Sequence, residues 1–461
     1  MAAYAQQGTK RQKVREPRSE NVDYFQGVER VEYNNMAALV DTSSYRYYNN
    51  NERVHSRAME DWLKCSVSLT DFRGNGSDLH GRSTLNRSWD DTTNSLDNHK
   101  RCVKALFDLM SKLGVKYWTA FDTDLVPAGD SSWEEIRLHW DDMVEYIQEL
   151  NQRYHVKMLW LAPDLHSHPR YASGAITSSD ATSFIQAATQ VKKCLEISQR
   201  LNAECFLLWP YREGYDSIFQ TDVQREIKLF SKLLKMTADY RDRLNYKCQL
   251  LIMPYYNCNT INHGSWNFVG WMEREMVNMY MWDVTSCLYF LKNYNLERYY
   301  KVCCPPGHHM FMANVYNMLG GVTIWNNFDH CDSRTLTLMI KNFIDQGTIP
   351  PAGINLKLTP RRDSDLREMV TVYVKYIDAA AKALRIACTV IAEQVFHKHL
   401  QQRYATYYSG FGSRLISGEV SLEECEEYYK KNQSTHTEYK CNKSEHLDIV
   451  FQRYIDTCDR I

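Results

Sequence analysis

Three short segments of this 461-residue chain hold residue types that bind metals or carry out redox chemistry. Asp329-His-Cys-Asp332 contains zinc-ligand types, His166 and His168 form an H-x-H pair, and Cys303-Cys304 is a vicinal thiol pair. We interpret them as an exposed polar loop, a structural turn and core-facing strand residues, because a reactive thiolate needs an exposed, electropositive setting. None of the three predicts a catalytic site by itself.

Eight short apolar runs, each ending in turn residues or charges, alternate with eight segments of helical period. The predicted strands are Trp62–Thr70, Val115–Asp122, Val156–Asp164, Glu204–Pro210, Cys248–Tyr256, Lys301–Pro305, Gly321–Asn326 and Ile354–Thr359. The predicted helices are 96–113, 131–153, 178–201, 220–243, 266–296, 309–318, 333–346 and 363–396. Strict alternation favours parallel βαβ units, and continuous apolar strands favour a sheet buried on both faces.

The sequence therefore predicts the α/β class and a (β/α)8 barrel, also called a TIM barrel, with a C-terminal helical arm. We assign residues 1–21 to a basic N-terminal arm, residues 22–396 to the barrel, and residues 397–461 to the helical arm and tail. Ser421, with Glu424 three residues later, predicts a capping box that opens one helix of the arm.

The carboxyl ends of the strands are where chemistry on such a barrel takes place. Near the ends of the last four strands the chain carries Met253, Pro305, Thr323 and Lys357. A divalent cation there would need several converging carboxylate oxygens. A lysine at that point would repel the cation by several kcal/mol, on the order expected for like charges at short range. We therefore predict no bound metal and no cofactor.

Several longer motifs resemble one known family. They are Phe121-Asp-Thr-Asp-Leu-Val-Pro-Ala-Gly-Asp130, Ser167-His-Pro-Arg-Tyr171, Arg212-Glu-Gly-Tyr215, Arg403-Tyr-Ala405 and Ser417-Gly-Glu419. Together, and in this order, they are similar to xylose isomerase of the longer, bacterial class across roughly residues 22–432. The resemblance implies a (β/α)8 barrel whose C-terminal arm embraces neighbouring subunits, usually in a tetramer. It also implies two divalent cations, Mg, Mn or Co, that assist a hydride shift between C1 and C2 of an open-chain sugar.

At the positions that carry the family's function, this chain departs from the pattern. Phe121 stands where the resemblance implies the ring-opening histidine, and Tyr255 stands where it implies the catalytic lysine. The four residues at the strand ends, Met253, Pro305, Thr323 and Lys357, occupy metal-ligand positions. The residues that still match a vestigial pocket are Asp124, Trp160, Trp209, Glu213 and His308.

This pattern predicts a catalytically inactive member of that family, a protein that is not an enzyme. We expect it to serve as a structural or scaffold component of a larger cytoplasmic assembly, as a homodimer or homotetramer. A cytoskeletal assembly such as the axonemal microtubule of a cilium is favoured, because the basic segment 1–20 suits acidic tubulin, while the net charge of the whole chain is only −1. No nucleic acid and no membrane is expected as a partner.

Two alternative functions remain open. One is an active, metal-dependent aldose–ketose isomerase with a rearranged metal site at His308, Asp329, Asp332 and Glu213. The other is a metal-free sugar-binding protein in which Trp160 and Trp209 form a stacking platform.

The location of the protein is inferred from its cysteines and its N-terminus. Fourteen cysteines without a C-x-x-C pair predict a reducing compartment, and the N-terminus has no apolar segment typical of secretion. Residues 1–20 are interpreted either as a solvated tail or as a mitochondrial targeting segment.

Overall fold

A closed barrel of eight parallel strands forms the centre of the protein, as seen in the computed structural model. The structure describes residues 22–72, 84–127, 132–254, 278–325, 332–361, 363–432 and 441–458, so the basic arm 1–21 lies outside the described residues. The strands are β1 Cys65–Ser68, β2 Tyr117–Phe121, β3 Lys157–Ala162, β4 Cys205–Leu208, β5 Gln249–Ile252, β6 Tyr300–Cys304, β7 Leu319–Trp325 and β8 Ile354–Lys357. Each strand pairs in parallel with the next, and β8 closes on β1. The predicted fold class and the order of the strands are confirmed.

Helices follow the strands and cover the outside of the barrel. They are α1 Leu96–Leu113, α2 Trp133–Tyr154, α3 Ala181–Arg200, α4 Val223–Arg243, α5 Val284–Asn293, α6 His308–Val315, α7 Ser333–Asp345 and α8 Leu366–Glu393. In α2 the side chains of Trp140, Met143 and Ile147 recur at helical spacing and are buried. This face packs toward the sheet, as its periodicity predicts.

One predicted helix differs from the observed structure. The segment 266–296 was expected to be continuous, but Asn278–Met279 forms a short strand antiparallel to Gly214–Tyr215, and α5 begins only at Val284. Residues 266–277 lie outside the described residues. Gly214 is required at this contact, because a Cβ there would lie 2.3 Å from the carbonyl oxygen of Asn278.

Two separate apolar cores stabilise the barrel. The larger lies between the strands and the outer helices. The smaller fills the inside of the barrel with ten buried residues: Phe121, Leu159, Trp160, Ala162, Cys205, Leu207, Leu251, Met253, Cys303 and Ala352. Successive side chains of each strand point alternately to one core and the other. This explains why the strand sequences are almost continuously apolar.

The chain continues past the barrel into a helical arm. It consists of α9 Val395–Arg403, α10 Gly410–Ser417, α11 Leu422–Lys431 and α12 Ser444–Thr457. Gln394, with a φ of 58°, both ends α8 and precedes α9. The predicted capping box is confirmed: Glu424 N donates to Ser421 Oγ, and Ser421 N donates to Glu424 Oε2. The division at residue 397 stays a prediction.

The two ends of the arm differ in how they are covered. In α12, Phe451 and Ile455 pack against Ile386 and Val390 of α8. The segment 395–431 instead exposes large apolar side chains: Leu400, Tyr404, Tyr407, Tyr408, Leu415, Ile416, Leu422, Tyr428 and Tyr429. None of the described helices is long and apolar enough to span a membrane.

Candidate functional site at the mouth of the barrel

The carboxyl ends of β2 and β8, together with the turn after β4, place an aromatic wall around one lysine. Lys357 ends β8, two residues after Asn355, so both side chains lie on the same side of the strand. Asn355 Oδ1 accepts hydrogen bonds from Ser66 Oγ at 3.1 Å and Thr119 Oγ1 at 3.0 Å, across three strands. The Asn355 side chain is therefore inside the barrel, and Lys357 projects into its mouth.

The ammonium group of Lys357 lies against aromatic rings. Its Nζ is 5.3 Å from the ring centroid of Trp209 and 6.0 Å from that of Phe121. In the described part of the chain no carboxylate forms an ion pair with it. Contacts of a cation with ring faces are favourable, and more so where water is excluded. The lysine thus has a defined place at the mouth, where, among the described residues, its ammonium contacts rings rather than an acid.

A histidine from the loop after β3 completes this group. The ring of His166 lies 5.1 Å from that of Trp209, 5.7 Å from that of Phe121 and 5.4 Å from that of Tyr211, measured between centroids. His166 Nδ1 is 3.2 Å from Asp164 Oδ1, within ion-pair distance when the imidazole is protonated, but without the angle of a directional hydrogen bond. Burial lowers the pKa of His166, the Asp164 carboxylate raises it, and Lys357 and Arg212 lower it further. The net direction is downward, so the imidazole is neutral near pH 7.

Asp164 is itself held by hydrogen bonds. Its Oδ1 accepts from the backbone N–H of His166 and Ser167, and its Oδ2 accepts from Thr123 Oγ1 at 3.0 Å. Burial opposes ionisation, but the charge of His166 and these hydrogen bonds hold the pKa of Asp164 below its usual value. Asp164 is therefore a fixed anion beside His166.

Two further acids in the turn after β2 have structural partners. Asp124 Oδ2 accepts from the backbone N–H of Phe121 at 2.9 Å and from Thr70 Oγ1 at 2.8 Å, and so closes the turn. Asp122 accepts from the backbone N–H of Asp164 and from Gln190 Nε2, both at 2.8 Å. Burial raises the pKa of Asp122 to about 7, against the effect of these hydrogen bonds.

The Glu213 carboxylate is hydrogen-bonded to a single loop. Its carboxylate accepts hydrogen bonds from the backbone N–H groups of Ala175, Ile176 and Thr177 and from Thr177 Oγ1, at 2.7 to 3.2 Å. Burial raises its pKa, and the same hydrogen bonds oppose that rise. The side chain therefore joins the turn after β4 to the loop after β3.

The two tryptophans predicted to form a platform differ in exposure. Trp160 is only 2% exposed and belongs to the core inside the barrel. Its indole Nε1 is buried and has no hydrogen-bond partner among the residues that the structure describes. Trp209 is half-buried, and its ring is the one that contacts Lys357, His166 and Tyr211. Trp209 can offer a face to a ligand, whereas Trp160 supports the wall from below.

Comparison with known proteins extends over almost the whole chain. It is 30% identical to a xylose isomerase of Caldicellulosiruptor bescii over 453 residues, which cover 94% of this chain and 99% of that protein. The chain belongs to the xylose isomerase family. A xylose isomerase of Caldanaerobacter subterraneus subsp. yonseiensis is 29% identical over 95% of this chain and 100% of that protein. One of Arabidopsis thaliana is 28% identical over 93% of this chain and 90% of that protein.

Two narrower similarities accompany this match. Residues 400–455 match the family described as XylA2 C-terminal domain. Among solved structures, D-psicose 3-epimerase from Clostridium cellulolyticum H10 has a TM-score of 0.42 at 10% identity, over 71% of this chain and 99% of that chain. Similarity of that degree says nothing about the substrate.

Membership of the xylose isomerase family corrects one prediction. The chain was expected not to be an enzyme, but the relatives that it matches from end to end are xylose isomerases. The prediction rested on the residues at the expected ligand positions, and His166 was interpreted as part of a structural turn. The fold brings Asp164 and His166 together at the same end of the barrel.

The described residues do not fit the two-cation centre that the family implies. Met253 is buried in the inner core, and Pro305 has no donor side chain. The Thr323 hydroxyl lies 3.4 Å from Cys303 Sγ, and Lys357 is a cation. No group of three or more His, Cys, Asp or Glu that could hold a metal occurs among the described residues. Divalent cations of this kind prefer several oxygen ligands, mostly carboxylates.

The rearranged metal site is not assembled by its described members either. Glu213 is bound to backbone N–H groups, and Asp332 is exposed and caps α7 through the N–H of Thr335. His308 is exposed at the start of α6. Asp329 and the rest of the 329–331 segment lie outside the described residues. We therefore derive no chemical step from a divalent cation.

Asp164 and His166 are the site residues that sequence reasoning missed. His166 was treated as part of a structural turn, because its sequence neighbours match a loop motif. A usable signal was present, since Asp164 lies two residues after the end of β3, on the carboxyl-terminal side where barrel chemistry is found.

The described cavities lie elsewhere. One of about 450 Å³ is at the amino ends of the strands, where Lys64, Lys116 and Lys157 line it together with Pro350. Another, of about 300 Å³, lies beside the end of α1. The amino end of such a barrel is associated with stability rather than with catalysis. The mouth is therefore kept as the candidate functional site.

Proposed function

We propose that this protein is a sugar isomerase that interconverts an aldose and the corresponding ketose at the mouth of the barrel. The observation that carries the proposal is the end-to-end similarity to xylose isomerases, which covers 99% of one relative. Support comes from the mouth itself, where a half-buried Trp209, the cation Lys357 and the imidazole of His166 converge. A sugar presents C–H faces to a ring and hydroxyl groups to charges, so such a surface suits it.

The experiment is a turnover assay with the purified full-length chain. D-Xylose, D-ribose, L-arabinose and D-glucose are incubated separately, each with Mg²⁺, Mn²⁺ or Co²⁺ or with a chelator, and the ketose product is measured. We expect conversion of at least one aldose at a rate on the order of 1 s⁻¹, within the usual range for enzymes. Absence of ketose under every condition would refute the proposal.

A matched pair of variants locates the reaction. Trp209→Ala removes the ring that both Lys357 and His166 contact, and we expect kcat/KM to fall by roughly 10- to 100-fold, as for loss of a positioning contact. Tyr289→Ala removes a side chain of α5 that is 74% exposed, and it should leave the activity unchanged. Equal effects of the two substitutions would place the reaction away from the mouth.

We also propose a second copy of this chain as the partner of the segment 395–431. Its nine large exposed apolar side chains support this, because apolar side chains left exposed in such number within one segment are typical of interfaces. Light scattering should give the mass of a dimer or tetramer for the native chain. Replacing Leu415 and Ile416 with serine should shift it toward the monomer, and a native monomer would refute the proposal. Binding to tubulin or to another axonemal protein stays a prediction, open to test by cosedimentation with microtubules.

A further inference from the structure

His166 and Lys357 occupy the mouth as a base and a cation on one aromatic wall. Both lie within 6.0 Å of the rings of Phe121 and Trp209, so the two rings connect them. The positions that would bind divalent cations hold no carboxylate, so charge that develops on a sugar oxygen at this mouth needs another positive group nearby. Lys357 is a charged group in that position.

We propose that isomerisation at this site runs by proton transfer through an enediolate, with His166 as the base and Lys357 as the cation that stabilises it. The proposal rests on the proposed isomerase function and specifies its chemistry. No divalent cation takes part. It differs from the hydride shift that the family resemblance implies, because the hydrogen leaves the sugar as a proton.

We assign a separate role to each nitrogen of the imidazole. Nδ1 of His166 lies 3.2 Å from Asp164 Oδ1 without the angle of a directional hydrogen bond, and in this proposal the other ring nitrogen, Nε2, exchanges a proton with the substrate. Asp164 is held by two backbone N–H groups and by Thr123, and acts as a positioning residue that favours the protonated imidazole as it forms. Lys357 contacts the rings of Phe121 and Trp209, and in this proposal its ammonium binds the anionic oxygen of the substrate.

The other acids near the mouth are poor candidates for the base. Glu213 accepts four donors from a single loop, and Asp124 closes the turn after β2. Asp122 is buried, and its carboxylate accepts from the backbone of Asp164 and from Gln190. A carboxylate saturated by structural hydrogen bonds cannot reach a substrate proton without breaking them.

The reaction balances without a redox partner. His166 Nε2 removes the proton from C2 of the open-chain aldose, the C2–H electron pair forms the C1–C2 double bond, and O1 becomes negative. Lys357 donates a proton to O1, and its neutral amine then takes the proton from O2. As the C2–O2 carbonyl forms, the protonated His166 returns its proton to C1. One hydrogen moves from C2 to C1 and one from O2 to O1.

The test is turnover in D₂O with the metal-stripped full-length chain in the presence of a chelator. We expect ketose to form at the same rate as with added Mg²⁺ and to carry solvent deuterium at C1. Turnover that requires an added cation, or a product that keeps all of the substrate's C2 hydrogen at C1, would overturn the proposal and leave the isomerase function intact. Absence of turnover with every sugar, with or without cations, would remove the isomerase function and this proposal with it.

Variants separate the roles of the two side chains. His166→Asn should lower kcat by roughly 100- to 10,000-fold, the range for loss of a general base. Lys357→Met keeps the length of the side chain, and we expect a loss of similar size in kcat with little change in KM. Thermal melting of each variant shows whether it is folded, and retention of native activity by a folded His166→Asn chain would exclude the proposed base.

His168→Asn is the matched control. His168 lies on the same loop, and its Nδ1 accepts from the backbone N–H of Arg170, a contact that asparagine can also make. It should keep native activity and give the same deuterium content in the product. An equal loss in this variant would show that the loop conformation, rather than the base, had been tested.

Discussion

The lysines at the two ends of the barrel have different kinds of partner. At the amino end, Lys64 Nζ lies 2.6 Å from Glu204 Oε2 and donates to the carbonyl oxygen of Pro351, and Lys116 pairs with Glu60 at 2.8 Å. At the carboxyl end, Lys357 rests on aromatic rings, and no described carboxylate pairs with it. Paired charges hold elements together, whereas removal of the Lys357 ammonium would break no ion pair among the described residues. We therefore expect substitutions at the amino end to change stability and those at the mouth to change activity.

Glu213 is an exception to this comparison, because it lies at the carboxyl-terminal end of the barrel and yet has a structural role. Its substitution should have the largest effect on the free energy of unfolding. Glu213→Ala would leave three buried N–H groups and the Thr177 hydroxyl without their acceptor. We expect the free energy of unfolding to fall by about 3–5 kcal/mol, measured by urea denaturation. Thr177→Val removes only one donor and should cost about 1–2 kcal/mol. A cost below 1 kcal/mol for Glu213→Ala would show that the loop is held by other contacts.

Asp122 gives the next effect, through pH. Its pKa is raised by burial to about 7, so the folded chain holds a proton there that the unfolded chain releases near pH 4. This contribution to stability is present below about pH 4 and is lost as the pH rises through about 7. At about 1.4 kcal/mol for each pKa unit, the loss approaches about 4 kcal/mol.

Asp122→Asn isolates this contribution, because its amide oxygen can still accept from the backbone N–H of Asp164. Urea midpoints at pH 5, 6, 7 and 8 should fall more steeply for the native chain than for the variant. If the urea midpoints of the native chain and the variant fell equally with pH, Asp122 would be ionised in the folded protein across this range.

A pair of lysine substitutions compares the two ends directly. Lys64→Met should lower the free energy of unfolding by about 1 kcal/mol, the upper range for a partly exposed ion pair, and leave kcat/KM unchanged. Lys357→Met should leave the unfolding free energy within about 0.5 kcal/mol of native, the usual range where no structural partner is lost. The reverse pattern would remove the distinction between the two ends.

The smallest predicted effect is on the titration of His166. The groups that act on it are Asp164, which raises its pKa, and Lys357 and Arg212, which lower it, in addition to burial. In Lys357→Met the pKa of His166 should therefore rise toward the ordinary value. NMR titration of the imidazole checks this, with His166→Asn to assign the signal. An unchanged pKa of His166 in the Lys357→Met variant would show that the two side chains do not interact.

The eight strands were predictable because each is an apolar run closed by turn residues, and this pattern depends only on local sequence. The helix predicted through 278–283 is wrong because Met279, in a short strand, and Met281, in the turn after it, are both buried, and a strand and turn give apolar residues at a spacing that a short helix could also give. Lys357 was placed at the end of its strand for the same local reason.

The meeting of His166 with Trp209 and Lys357 could not be predicted in this way. It depends on how three loops and strand ends close around one opening, and nothing in the sequence around His166 records that contact. Burial of Trp160 is likewise set by the direction in which its strand faces the interior.

Gln394 fixes the direction in which everything beyond the barrel leaves it. A single backbone angle in the left-handed region separates two helices there, so the course of α9 is set at one residue. Each residue of an α-helix turns the chain by about 100°. Inserting one residue into α9 would therefore swing the tyrosines that follow to another side of the molecule without disturbing the barrel.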